Sequence, residues 1–314
     1  MKRRRLLALV PALALAATGC GSDERGVTVK RSPRTPDAPI AVGVTPTPST
    51  PPEVILSTED VKQAGTVLLS LVGDVKEGVV TAFGKRLSLT RGSRSLYVFI
   101  GVDADQAPGS QPVRIDFTLL SGSKGSLDAE VTVVRTEWAV DAVTISPKLA
   151  ALLDPLLVNR ELAMLSEIYG KYTPEKLWKS ETGWLLPTPG QLTTRFGEQR
   201  SYNGGVAGGH HSGTDLGAAE GDPVAATNAG RVVLARQLQQ RGNMVVIDHG
   251  GGLFSGYAHM SSFAVAEGQA IDAGETVGLV GTTGLSTGAH LHWEMAANGV
   301  LVDALRFTDG TNGF

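Results

Sequence analysis

The chain has 314 residues, 42% of them apolar and 19% charged, with a formal charge of −3. That apolar content supports one large domain or two ordinary ones with buried cores, and two is the better fit to the length. The charge balance lacks the basic stripe or patch by which nucleic-acid binders are known, so no nucleic acid is expected as a partner, and a single cysteine excludes any internal disulfide.

In chain order, the basic run Lys2 to Arg5 precedes the apolar segment "LLALVPALALAA". These read as the n-region and h-region of a secretory signal, too short to span a membrane. Cys20 follows at once in "LAATGC". Small residues ahead of a cysteine resemble the lipobox of bacterial lipoproteins, whose cysteine takes the lipid and becomes the mature N-terminus. Ala17 departs from that pattern, which usually has leucine there. The expectation is an exported protein, with residues 1–20 as signal and the folded part tethered to a membrane through acyl chains on Cys20. Residues 21–53 contain "RSPRTPDAP" and "TPTPSTPPE", a composition that buries too little apolar area to offset its conformational entropy. They form an extended linker that, at roughly 3.1 Å per residue over about 30 residues, reaches up to ~100 Å from a bilayer.

Residues 54–146 hold short β-branched runs, "TVLLSLV", "VVTAF", "RLSLT", "LYVFIGV", "VRIDFTLL" and "AEVTVVR", separated by turn signals such as "TRGSRS" and "SGSKGS". Such spacing predicts a β-sandwich-like domain, and it contains no histidine or cluster of catalytic groups. Residues 147–182 are expected to be a helical connector. Asp154 is its N-cap, Pro155 its first helical residue and Gly170 its stop, with Leu162, Leu165 and Ile168 on one face. From residue 183 to 314 glycine becomes dense and strand patterns return in "RVVLAR", "MVVIDHG", "LFSGYAHM", "TVGLVG" and "HLHWEM". The whole is mainly β, ending in an antiparallel β domain.

All six histidines lie between His210 and His292. In a strand, side chains at i and i+2 share a side, so His290 and His292 of "HLH" face one site together. With His211 and Asp215 of "HHSGTD" they supply the imidazole and carboxylate donors that zinc prefers. No fourth protein ligand is evident, which suits an open catalytic site better than a closed structural one.

The stretches "HHSGTDLGAAEGDPVAATNAGRVV", "GNMVVIDHGGGLFSGYAHMSS" and "GLVGTTGLSTGAHLHWEM" resemble the lysostaphin-type, or LytM-like, zinc metallopeptidases, which cut peptide bonds in bacterial peptidoglycan. The resemblance covers about residues 183–307. It implies zinc held by His211, Asp215 and His292, with His259 and His290 as the non-ligand histidines that flank the reactive water. It also implies peptidoglycan peptides as substrate. The rival function within the resemblance is a regulator that binds and activates other cell-wall hydrolases; such proteins lack one or more ligand types, and here all are present. His210 is expected to be an exposed neighbour and His249 to be structural. Glu294 is expected on the face of His290 and His292, orienting a ligand or lying at the surface, and Arg200 and Asn203 near substrate.

Overall fold

The computed structural model describes residues 50–309. Cys20, the signal segment and nearly all of the linker lie outside them. The described residues group as one compact unit, and among them no helix is long and apolar enough to cross a membrane.

The first half is built from two sheets. One runs in the order Glu53–Leu56, Thr66–Val72, Leu96–Gly101 and Thr90–Arg91; the other in the order Asp60–Lys62, Lys124–Val134, Gly109–Leu119, Val75–Ala82 and Lys85–Ser88. Their facing side chains, among them Leu69, Leu71, Val98, Ile100, Val80, Ile115 and Val131, close a single core, as expected of a sandwich. The run "LYVFIG" is apolar at every position because the strand Leu96–Gly101 is buried on both faces. Leu96, Val98 and Ile100 point into the sandwich. Tyr97 and Phe99 point the other way, into the core of the second half, where they meet Trp178 edge-on with ring centroids 6.1 and 5.8 Å away.

Between the halves lie α1 (Pro147–Ala150), a 3-10 turn at Ala151–Leu153 and α2 (Pro155–Tyr169). The Asp154 side chain caps α2 by accepting from the Leu156 N–H at 2.7 Å, and Pro155 occupies the first position, where its missing N–H has no cost. The helix ends at Gly170, and Pro174 shortly beyond cannot continue it. Beyond the helix, residues 171–179 form neither helix nor strand, and a 3-10 turn at Ser180–Thr182 closes the connecting segment. The buried stripe of α2 is Glu161, Leu165 and Tyr169, while Leu162 is 40% exposed. A polar residue leads the buried face because its carboxylate has a partner waiting.

The second half is organised by an antiparallel sheet in the order Gln191–Thr194, Thr214–Gly217, His290–Ala297, Leu253–Met260, Asn243–Gly250, Gly230–Gln237 and Ala270–Ile271, with Val300–Val302 also on the His290–Ala297 strand. Leu291, Trp293, Met295 and Ala297 face the larger core. The alternate residues of the same strand share their side with Ala258, Phe254 and α2. The register sets Asp215 directly opposite His292 and Ala258 opposite His292 on the other side. A slip of one residue would turn all these side chains to the opposite face.

Candidate metal centre

Pairing opposite one another, Asp215 and His292 point to the same side of the sheet, and their side chains touch: His292 Nδ1 lies 2.8 Å from Asp215 Oδ1. His211, four residues before Asp215, arrives from the preceding loop, with Nε2 at 3.0 Å from His292 Nδ1 and 3.1 Å from Asp215 Oδ1. Gly213 permits this approach, since a Cβ there would stand 2.5 Å from the Trp293 carbonyl oxygen and 2.9 Å from the His292 ring. All three residues are buried.

Outer contacts fix which ring nitrogen is bare. His211 Nδ1 lies 3.0 Å from the Arg195 carbonyl oxygen, which can only accept, so its proton is on Nδ1 and Nε2 carries a lone pair. His292 Nε2 donates to Glu294 Oε1 at 3.0 Å, which leaves Nδ1 bare in the neutral ring. Three lone pairs thus converge, and the hydrogen offered to them comes from Arg200, whose Nη2 donates to Asp215 Oδ2 and stands 3.1 Å from His211 Nε2. Tetrahedral zinc with bonds of about 2.0–2.1 Å would set its ligand atoms about 3.3 Å apart, close to the spacing here. The three residues are a group fit to hold a metal ion, and imidazole with carboxylate is a donor set zinc accepts.

Electrostatics agree with that geometry. Burial alone would raise the Asp215 carboxyl, but the two imidazoles of His211 and His292 packed against it, each able to take up a proton, hold it far below the usual range. Burial pushes His211 down. It pushes His292 down as well, yet the carboxylates of Asp215 and Glu294, one at each ring nitrogen, favour its protonated form, outweigh burial and leave that ring raised. A cation or a proton is favoured between these groups.

His290 and His259 stand on the rim. His290, two residues from His292 on its strand, donates from Nδ1 to the Gly288 carbonyl at 2.8 Å and presents Nε2 3.8 Å from Asp215 Oδ1. His259 reaches the same side by a different device. Ala258 already faces the centre, so regular alternation would turn the next residue away. The ladder with the neighbouring strand is irregular here, and His259 adopts φ +63°, a left-handed conformation costly for a residue with a side chain and found at functional sites. Its ring lies 4.8 Å from His290 and 5.7 Å from His292, centroid to centroid, with Nδ1 donating to the Thr283 carbonyl at 2.8 Å. Burial, then the neighbouring His292 and His290, hold His259 well below the ordinary imidazole value, and burial lowers His290. Both rings are held neutral with Nε2 free to accept.

Glu294 is fully buried, not at the surface. Burial would raise its carboxyl, but Arg241 and His292 hold it well below the carboxylate range. His210 is half-buried rather than exposed, donating to the Gly197 carbonyl at 2.8 Å and meeting Asp105 at 3.1 Å. Asn203 spends both amide atoms on the Ile145 backbone. His249 lies on the opposite face of the sheet, between the Ala229 carbonyl and the Ser255 hydroxyl, each at 2.7 Å. Arg241 and Tyr169, which bond Glu294, and Glu161, which bonds Arg241, carried no motif signal.

Residues 209–304 match the model of peptidase family M23. Over 96 residues the chain is 41% identical to Peptidoglycan DD-endopeptidase ShyA of Vibrio cholerae, which covers 31% of this chain and 22% of that protein. Over 125 residues it is 34% identical to Murein hydrolase activator NlpD of Escherichia coli K12, covering 40% of this chain and 31% of that one. A crystal structure from Pseudomonas aeruginosa, described as an M23 peptidase, aligns with a TM-score of 0.58 at 25% identity over 78% of this chain and 93% of its own. The chain thus spans less than a third of these two curated relatives and most of the solved one.

Proposed function

Because the chain carries a domain of peptidase family M23, we propose that it is a zinc-dependent endopeptidase that hydrolyses peptide bonds of bacterial peptidoglycan. The observation that carries this reading is the convergence of His211 Nε2, Asp215 Oδ1 and His292 Nδ1, with two further neutral histidines beside them. Zinc held by those three atoms supplies a bound water whose pKa is drawn toward ~7 and polarises the carbonyl to be cut.

His259 and His290 do the proton work. Each has its Nδ1 hydrogen committed to a backbone carbonyl, so each turns a basic Nε2 toward the centre, and a lowered pKa keeps that nitrogen free. One accepts the proton as water adds to the carbonyl carbon and hands it to the amide nitrogen as the C–N bond breaks; the other holds a second basic nitrogen on the same rim. Asp215 and the buried Glu294 supply fixed negative charge that favours the cation. On one side of the centre a cavity of about 420 Å³ lies between Asp141–Ile145 and the loop Leu285–Ala289, and a cavity of about 200 Å³ lies on the other, so an extended peptide can pass across the histidines. Export, anchoring through Cys20 and a spacer role for the sandwich belong to the same proposal and place the site at the cell wall or in the periplasm.

The test is to incubate the full-length chain, with zinc, with purified peptidoglycan and to look for new amino termini. Their appearance supports the endopeptidase. Their absence from a zinc-loaded sample overturns it, and stimulation of a separate cell-wall hydrolase by that same sample would assign the regulatory role named for the E. coli relative.

A further inference from the structure

Helix α2 lies outside the segment that matches the peptidase family, yet its buried face ends in polar atoms aimed at the metal centre. The Tyr169 hydroxyl donates to Glu294 Oε2 at 2.7 Å. That bond needs Gly256, which sits opposite Glu294 in the sheet: a Cβ there would fall 2.6 Å from the tyrosine oxygen. The other Glu294 oxygen accepts from His292 at 3.0 Å, from Arg241 Nη2 at 2.9 Å and from Ser212 at 2.9 Å. Two turns earlier on α2, the Glu161 carboxylate accepts the backbone N–H groups of Gln240 at 2.9 Å and Arg241 at 3.0 Å. The carbonyl of that same Arg241 accepts the His259 backbone N–H at 2.8 Å.

Resting on the metal-centre reading, we infer that α2 is part of the active centre: Tyr169 positions the ligand His292 through Glu294, and Glu161 positions His259 through the Arg241 backbone. Stability alone does not account for this arrangement. Burying two carboxylates and a guanidinium is costly, and apolar side chains of similar volume commonly hold a helix at least as well. What charged groups add is aim: a carboxylate on the far nitrogen of a metal-binding imidazole fixes its tautomer and ring orientation and raises its basicity. The two arms separate the two jobs, one reaching a ligand and the other a proton carrier. They meet at Arg241, whose guanidinium bonds Glu294 and stands 3.7 Å from Glu161 Oε1, and whose backbone alone links Glu161 to His259.

The experiment uses the full-length chain and three near-isosteric variants, Tyr169→Phe, Glu294→Gln and Glu161→Gln, with Leu165→Ala as a variant that loosens α2 without touching a polar contact. Zinc affinity is read by competition with a chromophoric chelator, ligand geometry by the visible bands of the cobalt-substituted protein, and kcat and KM on a peptidoglycan peptide. Glu294→Gln is expected to weaken zinc binding by about 10–100-fold and Tyr169→Phe by about tenfold, both shifting the cobalt bands. Glu161→Gln is expected to keep zinc affinity while kcat falls by up to about 10²-fold at unchanged KM. Leu165→Ala lowers the melting temperature and leaves the cobalt bands in place. Wild-type zinc affinity and cobalt bands in Tyr169→Phe and Glu294→Gln, or equal band shifts in Leu165→Ala, overturn the inference. A wild-type chain that takes up no zinc instead sinks the reading on which it rests.

Discussion

Two buried histidine clusters occupy opposite faces of one sheet, and they are wired differently. On the face of the larger core, His249 donates to the Ala229 carbonyl, Ser255 links it to Tyr257 at 2.7 and 2.9 Å, and the Tyr257 oxygen accepts the Thr227 N–H at 2.8 Å. Donors and acceptors match along that chain, so nothing further is required of it. On the face of α2, the outer hydrogen bonds of His211 and His292 are spent so that their inner lone pairs, with that of Asp215, point at one another. Both clusters are buried; what distinguishes them is that the first closes its chain of partners within itself, while the second turns three lone pairs to one point where Arg200 alone offers a hydrogen. A satisfied histidine is a structural member, whereas a set with more lone pairs than hydrogens is the site proposed for a cation.

The sharpest way to break this contrast is to remove one member of each. His292→Ala is expected to leave no zinc after dialysis and no measurable hydrolysis, while His249→Gln keeps the full zinc content of wild type by atomic absorption. Zinc retained in the first, or lost in the second, would erase the distinction. Next comes His290→Ala, which removes a rim histidine and no ligand. It should bind zinc as wild type does and lose about 10²–10⁴ in kcat, which single-turnover digestion would register.

Much of this was legible in the residues. His211, Asp215 and His292 stand in two short motifs, and strand alternation alone brings His290 beside His292. The supports were not legible, because each is defined by a partner far along the chain. Glu294 reads equally as an orienting residue or a surface strand residue until Arg241, 53 positions earlier, is placed against it. Glu161 and Tyr169 break the apolar stripe of α2, which drew attention to Leu162 and Ile168 instead. His259 defeats alternation outright, since a single left-handed residue re-aims it. In the first half the doubly buried run "LYVFIG" marked a strand, while the direction in which Tyr97 and Phe99 pointed depended on a core that only the fold assembles.

The satisfied cluster should also announce itself through acid. Burial lowers His249 from 6.5 to about 4, so the folded chain resists a proton that the unfolded chain accepts. The stabilisation is complete above pH 6.5, shrinks as pH falls through that value, and is exhausted near pH 4; about 3 kcal/mol is at stake. His249→Gln should therefore show a flatter loss of urea stability between pH 7 and pH 4.5 than wild type, both measured without metal. Parallel slopes would mean that His249 is charged in the fold and that its relay is not complete.

The smallest effect probes the backbone rather than a ring. Gly213 crosses His292 so closely that an added methyl group meets the ring at 2.9 Å and the Trp293 carbonyl at 2.5 Å, with neither free to retreat: the ring is tied to Glu294 and the carbonyl belongs to a strand in the middle of the sheet. Overpacking of this kind costs about 1–3 kcal/mol. Because the methyl group presses on the proposed ligand itself, Gly213→Ala should weaken zinc binding more than it lowers the melting temperature of the metal-free chain. The equivalent crowding at Gly230, whose Cβ would stand 3.1 Å from His249 Nδ1 and 2.5 Å from the Asp248 carbonyl oxygen, should lower only the melting temperature. Zinc affinity unchanged in the first variant would mean that the ligand ring tolerates displacement, and that its outer supports do not set its aim.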